Sequence, residues 1–300
     1  MATVQFLFEL FIADVAETKS AATLVHYTKR LKPFVKRFGD REISELQPIE
    51  IKAYVNELNR FQAPHKKAGQ LKASATRASN VVVLQLLQAF TIDLRVLSAP
   101  FLPKLDVPVG ARRSTLPTAE QVQVILRGAG RRFKLIYRGL RQSGARPSEL
   151  VRATIADWHR AEKEIVLTYH KTAEATGEIR RIGVGHKLQQ ILESSTKGRT
   201  EGPLFLNVYG AAWTVNAVSR TFSKLRDKAG IPKSIVLYTA RHEHATLLCE
   251  KVGLDEAADA LNHKSINTTR HYVHKKKQKL LDNQDLMDDA GEADELPPPA

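Results

Sequence analysis

The chain has 300 residues, 43% of them hydrophobic, a single cysteine and a formal net charge of +14. That length exceeds what one small core usually holds and predicts two domains. The lone Cys249 excludes an internal disulfide framework, and the apolar start, broken by Glu9 and Asp14, is too short for a membrane span. With no basic leader ahead of it, this reading predicts a cytoplasmic, nucleoid-associated protein with no membrane partner. The charge is unevenly placed. Residues 281–300 hold seven acidic and no basic residues, so removing them from the +14 total leaves +21 on residues 1–280. A body that basic attracts polyanions, nucleic acid above all.

In chain order, residues 3–16 and 20–38 carry helical periodicity. In the second stretch Leu24, Tyr27, Leu31, Phe34 and Phe38 recur every three or four positions, with Lys29, Arg30, Lys32, Lys36 and Arg37 between them. Gly39 closes that helix, and Pro48 opens another with Ile51, Tyr54, Val55 and Leu58 on one face. Residues 61–72 are polar and basic and read as a loop, and 73–98 as a further helix. No strand alternation appears, so 1–100 is expected to be an all-helical domain. Residues 99–116 hold three prolines and a glycine. That composition predicts a linker at 101–116.

The second domain is expected at 117–280, its first helix capped by Thr118. It reads as mainly α with a small antiparallel sheet. The stretches EKEIVLTYHK and EIRRIGV alternate toward β around a turn at 173–177. Helices are expected at 185–195, 211–229, 239–251, 254–261 and about 265–271. The acidic end, 281–300, reads as a disordered tail.

Four stretches of the second domain hold candidate chemistry: SGARPSEL with Arg146, TYHKTAEATGEIRRIGV with Lys171, LYTARHEHATLL with Arg241, and LNHKSINTTRHYVHKK with His263 and Tyr272. In this order and spacing they resemble the boxes of the tyrosine recombinases, the phage integrase family. The first domain, notably HYTKRLKPFVKRFG and ISELQPIEIKAYVNEL, resembles that family's helical core-binding domain. The resemblance covers roughly residues 3–280.

It implies two domains clamped around duplex DNA and site-specific recombination by a homotetramer on two DNA sites, with accessory DNA-bending proteins among the candidate partners. A C-terminal segment shared between neighbours would fall at 277–290. No cofactor or metal is expected. Arginine stays protonated and offers a planar fork of donors, so Arg146 and Arg241 can neutralise the charge that builds on a phosphodiester in its transition state. Tyr272 is the expected nucleophile, forming a 3′-phosphotyrosine, with His271 and His274 as local rivals. The resemblance makes Lys171 the general acid, with Lys163 nearby, His263 a phosphate ligand, and Glu149 a carboxylate that supports the site without touching the phosphate.

One position departs from the family pattern. The second box usually begins with His, three residues before its arginine, and here Tyr238 stands there. Tyrosine can donate a hydrogen bond but is a poor base near neutral pH. His242, next to Arg241, is expected to face another way and not to substitute. The spacing of His242, His244, Cys249, His263, His271 and His274 does not match a zinc motif. Lys29, Arg30, Lys36, Arg37, Lys72 and Arg77 are expected to touch DNA phosphates, as are Lys275 and Lys276 beside the nucleophile. The rival readings are a type IB topoisomerase-like enzyme and a DNA-binding protein of the same fold with weak or no catalysis.

Overall fold

The computed structural model describes residues 2–109, 115–168 and 179–262. Lys171, His263, Tyr272, Lys275 and Lys276 lie outside the described residues, as do the turn at 173–177, the helix expected at 265–271 and the acidic tail. The chain divides into two compact units, Met1–Arg112 and Arg113–Ala300.

The first unit is helical: α1 (Val4–Thr18), α2 (Ala21–Phe38), α3 (Pro48–Leu58) and α4 (Ser74–Asp93). Thr3 and Ser20 start the first two helices by accepting the backbone N–H groups of Phe6 and Thr23. At α3 the Gln47 N–H donates to the Glu50 carboxylate at 3.0 Å, and Pro48 occupies the first turn, where its missing N–H costs nothing. The periodic residues of α2 divide as the pattern predicts. Leu31, Phe34 and Phe38 are buried, while Lys29, Lys32 and Lys36 face solvent. Each such buried side chain contributes about 1.5–3 kcal/mol.

Two boundaries differ from expectation. The helix expected to run to 98 stops at Asp93: Arg95 turns left-handed at φ 56°, and the Val96 N–H folds back onto the Thr91 carbonyl at 3.0 Å. Phe101 and Leu102 have a linker's neighbours but are buried in the core of the first unit. Phe101 stacks 6.2 Å from Phe34, and the Gln88 side chain accepts the Leu102 N–H.

The second unit begins with α5 (Ala119–Arg127), closed by a reciprocal cap in which Thr118 and Gln121 each accept the other's backbone N–H. Then come α6 (Arg131–Ser143), the single turn α7 (Pro147–Leu150), strands β1 (Trp158–His159), β2 (Glu164–Leu167) and β3 (Arg180–Gly183), and helices α8 (His186–Thr196), α9 (Val215–Lys228), α10 (Thr239–Val252) and α11 (Leu254–Ala260). The sheet is antiparallel in the order β1-β2-β3, with Ile165 opposite Ile182 and Leu167 opposite Arg180. It thus has one strand more than the expected hairpin. The helix expected from 211 starts at Val215, because Asn207 holds the preceding turn through the N–H groups of Tyr209 and Ala211, and Thr214 caps the helix. Helix α6 runs through the core, burying Phe133, Ile136, Tyr137 and Leu140 at helical spacing. Gly139 lets it lie flush, since a methyl group there would sit 2.8 Å from the Phe205 ring.

Candidate active site

The site is built where α6 ends. Gly144 terminates the helix in the left-handed conformation, φ 60°. Two residues later Arg146 precedes α7, whose first residue is Pro147. The Glu149 carboxylate holds Arg146 twice. One oxygen accepts its backbone N–H at 2.8 Å and the other its Nη1 at 2.6 Å. Glu149 is 1% exposed and the Arg146 side chain 20%, so the carboxylate fixes the arginine from the buried side.

Helix α10 supplies the second arginine. Arg241 is 1% exposed. Its Nη1 donates to the Gly144 carbonyl at 2.6 Å and its Nη2 to the Leu261 carbonyl at 2.8 Å, just past the end of α11. Residues almost a hundred positions apart therefore meet on one short loop. Two further contacts lock α10 to α6. The Arg141 guanidinium forks onto Glu243, with its Nε 2.9 Å from Oε2. The Arg141 carbonyl lies 3.1 Å from His244 Nδ1, which must therefore be the protonated nitrogen. Burial, with Arg241 and Arg180 nearby, holds the His244 imidazole below its usual pKa, against the pull of the Arg141 carbonyl and Glu243.

The His244 ring covers Gly144. A methyl group on Gly144 would come within 2.4 Å of the His244 Cδ2. Gly144→Ala therefore combines backbone strain with a collision, and should lower stability by about 1–3 kcal/mol in urea melts. Pairing it with His244→Ala removes the collision and should recover part of the loss. Full additivity of the two would show that the ring does not constrain the loop.

The structure thus brings Arg146, Glu149 and Arg241 together. Tyr238 sits at the start of α10, one turn before Arg241, and is 38% exposed. His242 has a neighbour that its position beside Arg241 does not suggest. His242 does diverge from Arg241, but it lies four residues after Tyr238 on the same helical face, and the two rings meet edge to face with centroids 5.2 Å apart. Sequence reasoning also missed Arg180, which occupies an inward position of β3 and donates its Nη1 to the Ala260 carbonyl at 2.7 Å. The alternation of β3 was the available signal, because Arg180 and Ile182 must share a face. Among the described residues no group of three or more His, Cys, Asp or Glu side chains is placed to hold a metal ion.

The profile of the phage integrase family matches residues 118–279, more than half of the chain and all four boxes. The chain belongs to this family. Among its relatives, the tyrosine recombinase XerD of Lacticaseibacillus casei is 23% identical over 279 residues, covering 89% of this chain and 92% of that one. The tyrosine recombinase XerC of Pelobacter propionicus is 28% identical over 60% of this chain and 58% of its own. The fold is shared with a lambda integrase dimer bound to a COC′ core site, at TM-score 0.74 and 16% identity over 92% of this chain and 97% of that one. A lambda integrase tetramer bound to a Holliday junction matches with the same TM-score and identity, over 91% and 78%.

In the first unit, the candidate DNA contacts of this integrase-family chain are unevenly available. Lys29 and Lys36 are exposed. Arg37 is exposed but pairs with Glu57 at 2.5 Å, and Arg30 donates to Asn80 at 3.2 Å. Lys72 donates to the Leu58 carbonyl at 2.7 Å, and Arg77 to the Lys72 carbonyl at 3.1 Å. Lys36, Arg37 and Lys72 line one hollow with Tyr54 and Glu57 at its wall. No helix among the described residues is long and apolar enough to cross a membrane.

Proposed function

We propose that this chain is a site-specific DNA recombinase that cuts and rejoins strands through a covalent 3′-phosphotyrosine at Tyr272. The observation that carries the reading is the meeting of Arg146 and Arg241 at one loop, the first gripped by Glu149 and the second by the Gly144 and Leu261 carbonyls. Preorganised guanidinium forks are what a phosphoryl transfer asks of a protein, because most of the work is positioning and neutralising charge.

In the proposed step Tyr272 gives up its phenolic proton to water, and the phenolate oxygen attacks phosphorus in line. A tyrosine–phosphate ester bond forms, the bond from phosphorus to the 5′-oxygen breaks, and Lys171 gives that oxygen its proton. Arg146, Arg241 and His263 hold the non-bridging oxygens. The ester conserves the energy of the phosphodiester, so rejoining needs no nucleotide triphosphate. Lys29, Lys36, Arg37 and Lys72 supply phosphate contacts from the first unit, and Lys275 and Lys276 from beside the nucleophile. Four copies assemble on two sites.

The test is a duplex with a nick just past the cleavage position, so that the freed fragment diffuses away and the adduct persists. Its sequence comes from a random library selected by binding to this chain, or from inverted repeats beside the gene. Covalent protein–DNA product with the label on Tyr272 supports the recombinase. Tight binding without product supports the binding-only alternative, which Tyr238 in place of histidine favours.

Tyr238 acts in this scheme as a hydrogen-bond donor to the phosphate, its ring held by His242. Tyr238→Phe is expected to slow adduct formation about tenfold, the worth of one neutral hydrogen bond in the transition state, without changing DNA affinity. Adduct formation at the wild-type rate removes that role.

A further inference from the structure

Arg180 is the anomaly of the second unit. It is 2% exposed, yet among the described residues its Nε and Nη2 have no hydrogen-bond partner. Buried charged groups are ordinarily paired, because an unmet donor loses its water and gains nothing in return. Arg226, also buried in this unit, follows that rule: its Nε and Nη2 both reach Asp227 and its Nη1 the Ile235 carbonyl. Among the described residues Arg180 has only the Ala260 carbonyl.

The anchor locates the unpaired donors. Arg180 and Arg241 hang from consecutive carbonyls, Ala260 and Leu261, and Arg241 reaches on to the loop that carries Arg146. Electrostatically Arg180 feels Glu149, Arg241 and Arg146. Burial lowers its pKa to about 10, the two other arginines push the same way and Glu149 opposes them, so the group stays charged near neutral pH. Among these four described side chains three cations face one carboxylate, and that carboxylate is already spent on Arg146. What the cluster lacks is an anion with several acceptor oxygens. Arg146 is its more exposed member, and Arg180 and Arg241 are buried.

We propose that Arg180 is a third phosphate-binding arginine, whose Nε and Nη2 donate to a non-bridging oxygen of the DNA phosphodiester beside Arg146 and Arg241. The proposal rests on the strand-cleavage reading above and adds a residue to it. Nε and Nη2 form one edge of a guanidinium, which suits phosphate oxygens, and both are satisfied when DNA is seated.

The experiment compares Arg180→Met with the wild-type chain on two nicked duplexes of the selected sequence. One has the natural phosphodiester at the cleavage position and the other an uncharged methylphosphonate. On the phosphodiester the variant should form adduct about 10²–10³ times more slowly, and on the methylphosphonate less than about tenfold more slowly, because the charge Arg180 answers is gone. Equal losses on both substrates, or no loss, overturn the proposal and leave Arg180 a strut between β3 and α11. If Arg180→Met melts below the assay temperature, the same ratio is read on Arg180→Lys, which keeps the charge but not the fork. No adduct from the wild-type chain on either duplex overturns the cleavage reading and this one with it. Adduct from the wild type with an unchanged ratio in the variants overturns this one alone.

Discussion

Replacing Tyr272 by phenylalanine is expected to abolish covalent capture of the nicked duplex while leaving binding to the same DNA intact. The substitution removes one oxygen, the atom that would become bonded to phosphorus, and keeps the ring. A free phenol has a pKa of about 10, so only a small fraction is ionised at neutral pH. Neighbouring cations favour the phenolate, and the described residues already place three buried or half-buried arginines in this unit's cluster. The rival nucleophiles are close in sequence: His271 and His274 flank Tyr272. Acid separates them from tyrosine, because a phosphohistidine hydrolyses in mild acid and a phosphotyrosine survives. Residual adduct in Tyr272→Phe, or acid-labile adduct in the wild type, would move the nucleophile off Tyr272.

Much of this architecture is legible in the residues, and the exceptions share a physical cause. Helices with apolar stripes and polar starts, such as α2 and α5, can be read because stripe and cap point to the same boundary. The site arginines of the two boxes can be read because charged residues embedded in GARPSEL and TARHEHAT stand out from their surroundings. Helix α6 is harder. Its basic residues at both ends and in the middle mask Phe133, Ile136, Tyr137 and Leu140, although their spacing is helical. Strand β1 has two residues and carries no periodicity of its own. Arg180 is the instructive case. Strand alternation puts it inside with Ile182, but burying a cation is costly, so composition assigns it to the surface. Where local pattern and burial cost conflict in this way, a functional site is the common explanation. The pairing of Tyr238 with His242 was hidden differently: relative to Arg241, His242 turns away, and only the four-residue spacing from Tyr238 shows which group it serves.

The second large effect falls on Arg241. Arg241→Lys is expected to lower the rate of adduct formation about 10²–10³-fold, the cost of one preorganised donor to a developing oxyanion, while DNA affinity changes little. The folding consequence is set by opposing terms. An ammonium is a point donor and cannot span the Gly144 and Leu261 carbonyls as the guanidinium does, so one buried carbonyl loses its partner, at about 1–3 kcal/mol. Against this, a retained single charge leaves the repulsion with Arg180 and Arg146 nearly unchanged, so no relief offsets the loss. Arg241→Ala behaves differently. It deprives both carbonyls and leaves a cavity, but it also removes one of the cations crowding Arg180. Its stability should therefore fall by less than the two lost bonds and the cavity together would predict, and at neutral pH its adduct formation should be no better than that of the lysine variant. Measured together, urea melts and adduct rates separate the two roles. A lysine variant that melts early yet cleaves at the wild-type rate would make Arg241 a strut between the Gly144 loop and the end of α11. The second phosphate-binding fork would then be Arg180, which hangs from the adjacent carbonyl with its Nε and Nη2 unmet among the described residues.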